Sequence, residues 1–338
     1  METDAQDDSV KPWILTTATP YRESSKRLLL ENFRVVIWDD FVADPVRYRE
    51  RIQGFLHMPF YKPEITEEIL RSMPNLKVLT THSTGTNHLN LPLLWKLGLK
   101  VGHARGILDD TCADFAFGLL LAAARKLPVC IGGARGYDKD SLNLGWKRTD
   151  DLYGVPVSGT TLGILGMGAI GYEVARRASG FKMRVLYHNR RKRSEEEEKE
   201  VQATYCSTLE EMLPAVDFLV VAAPLNDSTR HMIGKKQLSL MKNTAIIVNI
   251  ARGLIFDQEA LVEALKDGVI LGAALDATFP EPLPKEHPLL HMPNVIVTPH
   301  VSAFVGRTLD EVMQNCVDNL WAGIQGRPLV TEVPNNSS

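Results

Sequence analysis

The sequence predicts an α/β protein of two domains, each a parallel sheet with helices packed on its faces, and three features of its 338 residues predict it. The length exceeds what one hydrophobic core usually serves. Short β-rich runs alternate with amphipathic helical stretches in both halves of the chain, the pattern of parallel sheets with crossover helices. A glycine-rich turn stands between a strand-like run and a helix-like one in the second half, where it can carry a ligand.

Bulk properties narrow the class. Hydrophobic residues make up 44% of the chain and charged residues 23%, as in an ordinary soluble globular protein and unlike a disordered or fibrous one. A formal net charge of -3 gives no overall basic field, which argues against nucleic acid or an anionic membrane as partner, so any anion site is local. Cys112, Cys130, Cys206 and Cys316 form no CxxC pair; neither a metal knuckle nor a redox motif is expected, and no metal site is assigned. The opening METDAQDDSVK is acidic and polar, unlike a signal or transit peptide, and the longest apolar stretch, around Phe115 to Ala124, is too short to span a bilayer. A cytoplasmic protein is expected.

In order along the chain, Trp13 to Thr16 and Val35 to Trp38 read as strands around an amphipathic helix from Ser24 to Asn32. Further strands are expected at Val78 to Thr80 and Val101 to Gly102, separated by helical periodicity in Glu64 to Met73 and Leu91 to Leu97. A longer apolar helix, Asp110 to Leu127, begins behind a candidate Asp cap. The second cycle is clearer. It has strands at Thr161 to Leu165, Arg184 to Tyr187, Phe218 to Ala222, Ala245 to Ile250, Gly272 to Leu275 and Val295 to Thr298, and helices at Gly171 to Ala178 and Gln258 to Asp267. Ser194 to Glu200, SEEEEKE, reads as a solvated helix start. A final helix from Arg307 to Ile324 follows the last strand and is expected to fold back onto the first domain. No long linker separates the halves, which suggests packed domains with a cleft.

Gly166-Met167-Gly168-Ala169-Ile170-Gly171 follows the strand TLGIL and opens a helix, the context that raises a GxGxxG match above chance. Gly166 permits the tight turn, Gly168 lets the backbone approach a pyrophosphate, and Gly171 allows close packing of helix on strand. This makes the second domain a Rossmann-like NAD(P)-binding domain. NAD enzymes usually place an acid at the end of the second strand, roughly 20 residues on, to accept the ribose hydroxyls. Here that place holds Asn189, followed by Arg190, Arg191, Lys192 and Arg193. With no acid and local cations suited to a 2'-phosphate, NADP(H) is preferred over NAD(H).

Three segments at the C-terminal ends of expected strands carry polar groups: Asn249-Ile250-Ala251-Arg252-Gly253, Asp276-Ala277-Thr278-Phe279-Pro280-Glu281-Pro282 and Thr298-Pro299-His300. Ligand chemistry in open α/β sheets sits at those ends. Each segment is weak alone; in this order behind a nucleotide fingerprint they are strong. Over nearly its whole length the chain resembles the D-isomer-specific 2-hydroxyacid dehydrogenase family, and it is most similar there to the glyoxylate and hydroxypyruvate reductase branch, through PEPLP and the cationic loop after Tyr187. The resemblance implies Arg252 as substrate anchor, Glu281 as partner of the histidine and His300 as proton donor and acceptor. It also implies that Thr84 and Gly85 offer backbone N–H groups to the substrate carboxylate, with Asp276, Ile250 and Pro224 near the nicotinamide. The implied architecture is a flavodoxin-like substrate-binding domain, 1–107 with 302–338, and an NAD(P)-binding domain, 108–301. The implied assembly is a homodimer.

The chemistry requires such a set. A 2-keto acid is already an anion and gains charge on its carbonyl oxygen as hydride arrives, so a cation must meet both; the rigid fork of an arginine suits this better than a lysine. Histidine suits the proton transfer because an imidazole titrates near neutral pH and a carboxylate beside it favours the protonated form. The chain departs from the family in reading GTNHL, where an acid is common at the Asn87 position. A tryptophan that some relatives contribute from a neighbouring subunit has no clear counterpart beyond Trp146. A phosphoglycerate-type enzyme would favour an acid after the second strand, and a formate-type enzyme a glutamine in place of Glu281. The same fold also serves as a nucleotide-sensing corepressor with a similar trio, which the trio alone does not separate from an enzyme.

Overall fold

The protein is described by a computed structural model covering residues 11–58, 63, 65–135 and 153–335. It forms two compact units, Met1–Leu108 with Phe304–Ser338, and Asp109–Ala303.

The first unit runs β1 (Trp13–Thr16), α1 (Glu23–Asn32), β2 (Arg34–Ile37), α2 (Trp38–Ala43), α3 (Pro45–Tyr48), β3 (Ile52–His57), α4 (Glu67–Ser72), β4 (Val78–Thr81), α5 (Leu91–Lys96) and β5 (Lys100–Gly102). Its five strands are all parallel, in the order β2-β1-β3-β4-β5, the flavodoxin-like arrangement. Ile14, Leu15, Phe55, Leu56 and Leu79 are fully buried at the sheet centre, each contributing about 1.5–3 kcal/mol over an exposed position. Trp38, which reads as the end of a strand, instead opens α2 and is buried there. The central strand β3 carries no alternation in the sequence. Its run IQGFLH is buried on both faces, His57 included and Gln53 half-buried, so no solvent-facing side sets a period.

The second unit runs α6 (Asp109–Ala124), α7 (Leu127–Arg135), β6 (Thr161–Leu165), α8 (Ala169–Gly180), β7 (Arg184–His188), α9 (Glu195–Glu200), β8 (Ala203–Tyr205), α10 (Leu209–Met212), β9 (Phe218–Val221), α11 (Lys235–Ser239), β10 (Ile246–Asn249), α12 (Gln258–Lys266), β11 (Gly272–Leu275) and β12 (Val295–Val297). The sheet order is β12-β11-β10-β9-β6-β7-β8. Strands β6 to β11 thus follow the dinucleotide-binding order, with β12 added at one edge, and the order reverses at β6 and β9. Apolar α6 packs on α8 and on the sheet at β10 and β11, which explains its lack of a polar face. α9 is a real, short helix with a capping box between Ser194 and Glu197.

The last helix, α13 (Gly306–Ile324), belongs to the first unit. Val312, Met313, Cys316, Val317 and Leu320 are buried at helical spacing against α1, β3 and β4. Among the described residues no helix is long and apolar enough to cross a membrane.

Candidate active site

Two loops shape the glycine-rich turn. Gly166 lies at φ +93, and a Cβ there would meet the Ala223 backbone at 2.4 Å; a Cβ on Gly171 would meet Gly166 O at 2.3 Å. Both glycines are required by the protein itself. Gly168 is not: a Cβ there would find nothing within 4 Å, so open space remains where a pyrophosphate would approach the first turn of α8, formed by Ala169, Ile170 and Gly171. The residues fit a dinucleotide. Met167 contributes only backbone, since its side chain is buried in the core.

The end of β7 is more structured than a bare cationic loop. Asn189 accepts the Met167 N–H at Oδ1 (2.7 Å) and donates to Met167 O from Nδ2 (3.1 Å). Arg193 donates to the same carbonyl (2.8 Å), pairs with Glu197 (2.5 Å) and stacks over the Tyr172 ring at 4.5 Å. Lys192 pairs with Glu198 at 3.2 Å. The residues after β7 therefore differ in their surroundings. Asn189 and Arg193 brace the glycine turn, while Arg190 and Arg191 are exposed and make no ion pair among the described residues. The glutamates of α9 account for the difference, neutralising the cations nearest to them.

The catalytic candidates come together through sheet register. In the neighbouring strands β10, β11 and β12, Asn249 lies beside Leu275, and Leu275 beside Val297. All run parallel, so the segments that follow leave the sheet at one edge. Asn249, fully buried, accepts the Ala251 N–H (3.0 Å) and donates from Nδ2 to Arg252 O (3.2 Å) and Ala277 O (2.9 Å). One amide thus ties the arginine segment to the glutamate segment. Gly253 lets them meet: a Cβ there would fall 2.0 Å from the Thr278 carbonyl carbon.

Asp276 performs the same service for the histidine. Its Oδ1 accepts from the Thr298 hydroxyl (2.6 Å) and the Val301 N–H (2.9 Å), and its Oδ2 from the Ser302 N–H (2.9 Å). His300, between them, holds φ +55. A left-handed histidine costs about 1 kcal/mol or more and persists where its surroundings fix it; here Asp276 does so. Both Asp276 oxygens are engaged by this loop, so its carboxylate braces the backbone that carries His300. Ile250 is buried at the end of β10, and Pro224 lies exposed after β9.

His300 Nδ1 stands 3.1 Å from Glu281 Oε2, and Glu281 Oε1 accepts the Thr278 N–H at 3.0 Å. Burial works to raise the Glu281 pKa, but the hydrogen bond with His300, together with Thr278 and the charge of Arg252, prevails and holds the carboxyl below its ordinary value. Burial lowers the pKa of Arg252, opposed by the charge of Glu281; the guanidinium donates to Ala251 O at 2.7 Å. Cys112, at the start of α6 and 3.8 Å from Ser302 Oγ, is pushed up to about 11 by burial. Its thiol stays protonated and is no nucleophile. Among the described residues no cluster of three or more His, Cys, Asp or Glu is arranged to hold a metal.

In the first unit, Thr84 and Gly85 lie in the loop after β4, half-buried, with Thr84 Oγ1 donating to Ala104 O (3.0 Å). Trp146 lies outside the described residues. Sequence reasoning missed the bracing roles of Asn249 and Asp276. A signal existed for the first, since Asn249 is the one amide in the otherwise apolar run IIVN.

Residues 117–302 match the family model described as D-isomer specific 2-hydroxyacid dehydrogenase, NAD binding domain. The chain is 36% identical over 335 residues to the glyoxylate reductase of Korarchaeum cryptofilum, covering 97% of this chain and 96% of that protein. It is 36% identical over 302 residues to the glyoxylate reductase/hydroxypyruvate reductase of Homo sapiens, covering 88% and 89%. Among solved structures, an NADPH-dependent glyoxylate/hydroxypyruvate reductase from Sinorhizobium meliloti, in complex with NADP and malonate, aligns at a TM-score of 0.84 and 29% identity, covering 96% of this chain and 97% of that one.

Proposed function

The chain belongs to the D-isomer specific 2-hydroxyacid dehydrogenase family, and from that premise we propose that it is an NADPH-dependent reductase that converts a small 2-keto acid to the D-2-hydroxy acid. Glyoxylate, hydroxypyruvate and 2-keto sugar acids are the substrate class. The observation that carries this reading is the pairing of His300 Nδ1 with Glu281 Oε2 at 3.1 Å, at the sheet edge that also bears Arg252.

An ionised carboxylate only accepts hydrogen bonds, so the proton on the His300–Glu281 contact sits on Nδ1. Nε2 is then the atom that exchanges a proton with the substrate oxygen. Glu281 accepts from Nδ1 and so fixes the tautomer and orientation of the ring. Arg252 meets the carbonyl oxygen as charge gathers there; in a site that removes it from water, such a donor acts more strongly than it would in solvent. Backbone N–H groups of Thr84 and Gly85 bind the carboxylate. The nicotinamide, when bound, supplies the hydride. Arg190 and Arg191 bind the 2'-phosphate of NADPH, a reading supported by their exposure and by the absence of an acid at Asn189.

The test is NADPH and NADH oxidation by the parent and by Arg252→Ala across a panel of 2-keto acids. The parent is expected to turn over at least one member of the class. Arg252→Ala is expected to lower kcat/KM by about two orders of magnitude, the equivalent of about 3 kcal/mol for one such donor. No turnover across the panel would sink the reading, and unchanged kinetics would remove Arg252 from the site.

A further inference from the structure

The loop after β4 holds its backbone in a definite sense. Three successive carbonyls are each held by a donor from the same unit: Ser83 O by the Ala104 N–H (2.9 Å), Thr84 O by His103 Nδ1 (3.1 Å) and Gly85 O by the Ser83 hydroxyl (2.8 Å). In a planar trans peptide the N–H points opposite to the C=O. The N–H groups of Thr84, Gly85 and Thr86 are therefore turned away from the groups that hold those carbonyls. Among the described residues, none of the three N–H groups donates to a protein acceptor. N–H groups left without a protein acceptor in such a bent loop are open to an anion.

The holding groups are themselves ordered. A carbonyl only accepts, so His103 carries its proton on Nδ1. His103 is buried, and burial lowers its pKa against the bond to Thr84, favouring the neutral ring. Its backbone is fixed in turn by Thr331, whose carbonyl accepts the His103 N–H at 3.1 Å. Thr331 is anchored to Asn319 of α13 (2.9 and 3.1 Å). On the other side, Ser83 Oγ lies 3.0 Å from Thr81 Oγ1, which lies 3.0 Å from His88 Nε2. Ser83 has one proton and gives it to Gly85. All three contacts are satisfied only if Thr81 donates to Ser83 and His88 Nε2–H donates to Thr81. His88 is steadied by stacking on buried His57, with ring centroids 4.7 Å apart.

We propose that His103, and the relay from His88 through Thr81 to Ser83, are positioning residues for substrate recognition, holding the Thr84 and Gly85 carbonyls back so that the loop presents its N–H groups to the carboxylate of the 2-keto acid. This rests on the reading that the Thr84–Gly85 loop takes that carboxylate. Two different side chains clamp adjacent peptides, so loss of either frees one peptide to turn and weakens binding of substrate, leaving the cofactor untouched.

Steady-state kinetics of the full chain at saturating NADPH test this. His103→Phe keeps the ring shape without the donor and is expected to raise the keto-acid KM about tenfold, with kcat within about threefold and the KM for NADPH unchanged. His103→Asn, whose amide can stand where Nδ1 does, is expected to return KM toward the parent value. Ser83→Ala should match His103→Phe through the Gly85 carbonyl, and it carries the test if His103→Phe does not fold. Gly85→Pro removes one N–H outright and tests the reading underneath. If Gly85→Pro raises KM while His103→Phe and Ser83→Ala bind like the parent, or if His103→Asn is no better than His103→Phe, the positioning proposal is overturned and the loop reading stands. If Gly85→Pro leaves KM unchanged, both fall.

Discussion

The chemistry turns on how few side chains are asked to do how much. His300 is held by two carboxylates with separate tasks. Asp276 fixes the backbone around it, and Glu281 faces its ring. Because the folded protein keeps the Glu281 carboxyl below its ordinary value, the sign of its contribution follows. Its pairing is complete above the ordinary carboxylate range and is lost as pH falls through the lowered value. Glu281→Gln retains the shape and removes the charge that faces the His300 ring. Reduction by this variant should be slower, and the acid-side loss of activity that follows protonation of the Glu281 carboxyl should be missing from its pH profile. A profile that merely scales down, with its limbs unmoved, would make Glu281 a structural residue. The trio itself was legible in the sequence because three polar types recur in order at strand ends. Asn249 and Asp276 were less so, since an amide or carboxylate that spends its bonds on backbone looks the same in a sequence as one that meets a ligand.

At the scale of elements, the proposed cofactor and substrate contacts lie in loops at strand ends. The β7–α9 loop shows how helix and loop divide the work. The acidic run that reads as a solvated helix start is the counter-charge of the loop before it, taking Lys192 and Arg193 into ion pairs and leaving Arg190 and Arg191. Surface pairs of this sort are worth little in stability; their effect is on which cations remain available. Replacing both Arg190 and Arg191 with Ala is expected to erode a preference for NADPH over NADH, mainly through the KM for NADPH. Equal use of both cofactors by the parent would contradict a phosphate clamp. The strands that the sequence concealed have physical reasons for it. β3 is buried along nearly its whole length and contains Gly54, so period-two alternation between a core face and a solvent face is missing, and β8 has only three residues, too few to show a period. α13, by contrast, repeats its buried positions over nineteen residues, which is why its period is plain.

At the scale of the whole molecule, two parallel sheets of different strand order serve different ends. The order in the second unit reverses beside the glycine turn, where such folds bind nucleotides. In the first unit, α13 returns from the far end of the chain to seal the sheet and, through Asn319 and Thr331, to steady the loop that carries Thr84 and Gly85. Alternation and the glycine fingerprint made the fold class legible in the sequence. The bracing between distant segments was not, because it depends on register and backbone direction that no local pattern encodes. These parts are proposed to reduce a 2-keto acid to one hand of product. This is tested by the configuration of the glycerate formed when the full chain consumes NADPH in the presence of hydroxypyruvate. D-glycerate is expected, formed mole for mole with the NADPH oxidised; L-glycerate, or no D-hydroxy acid from hydroxypyruvate or any 2-keto sugar acid, would contradict the proposed function.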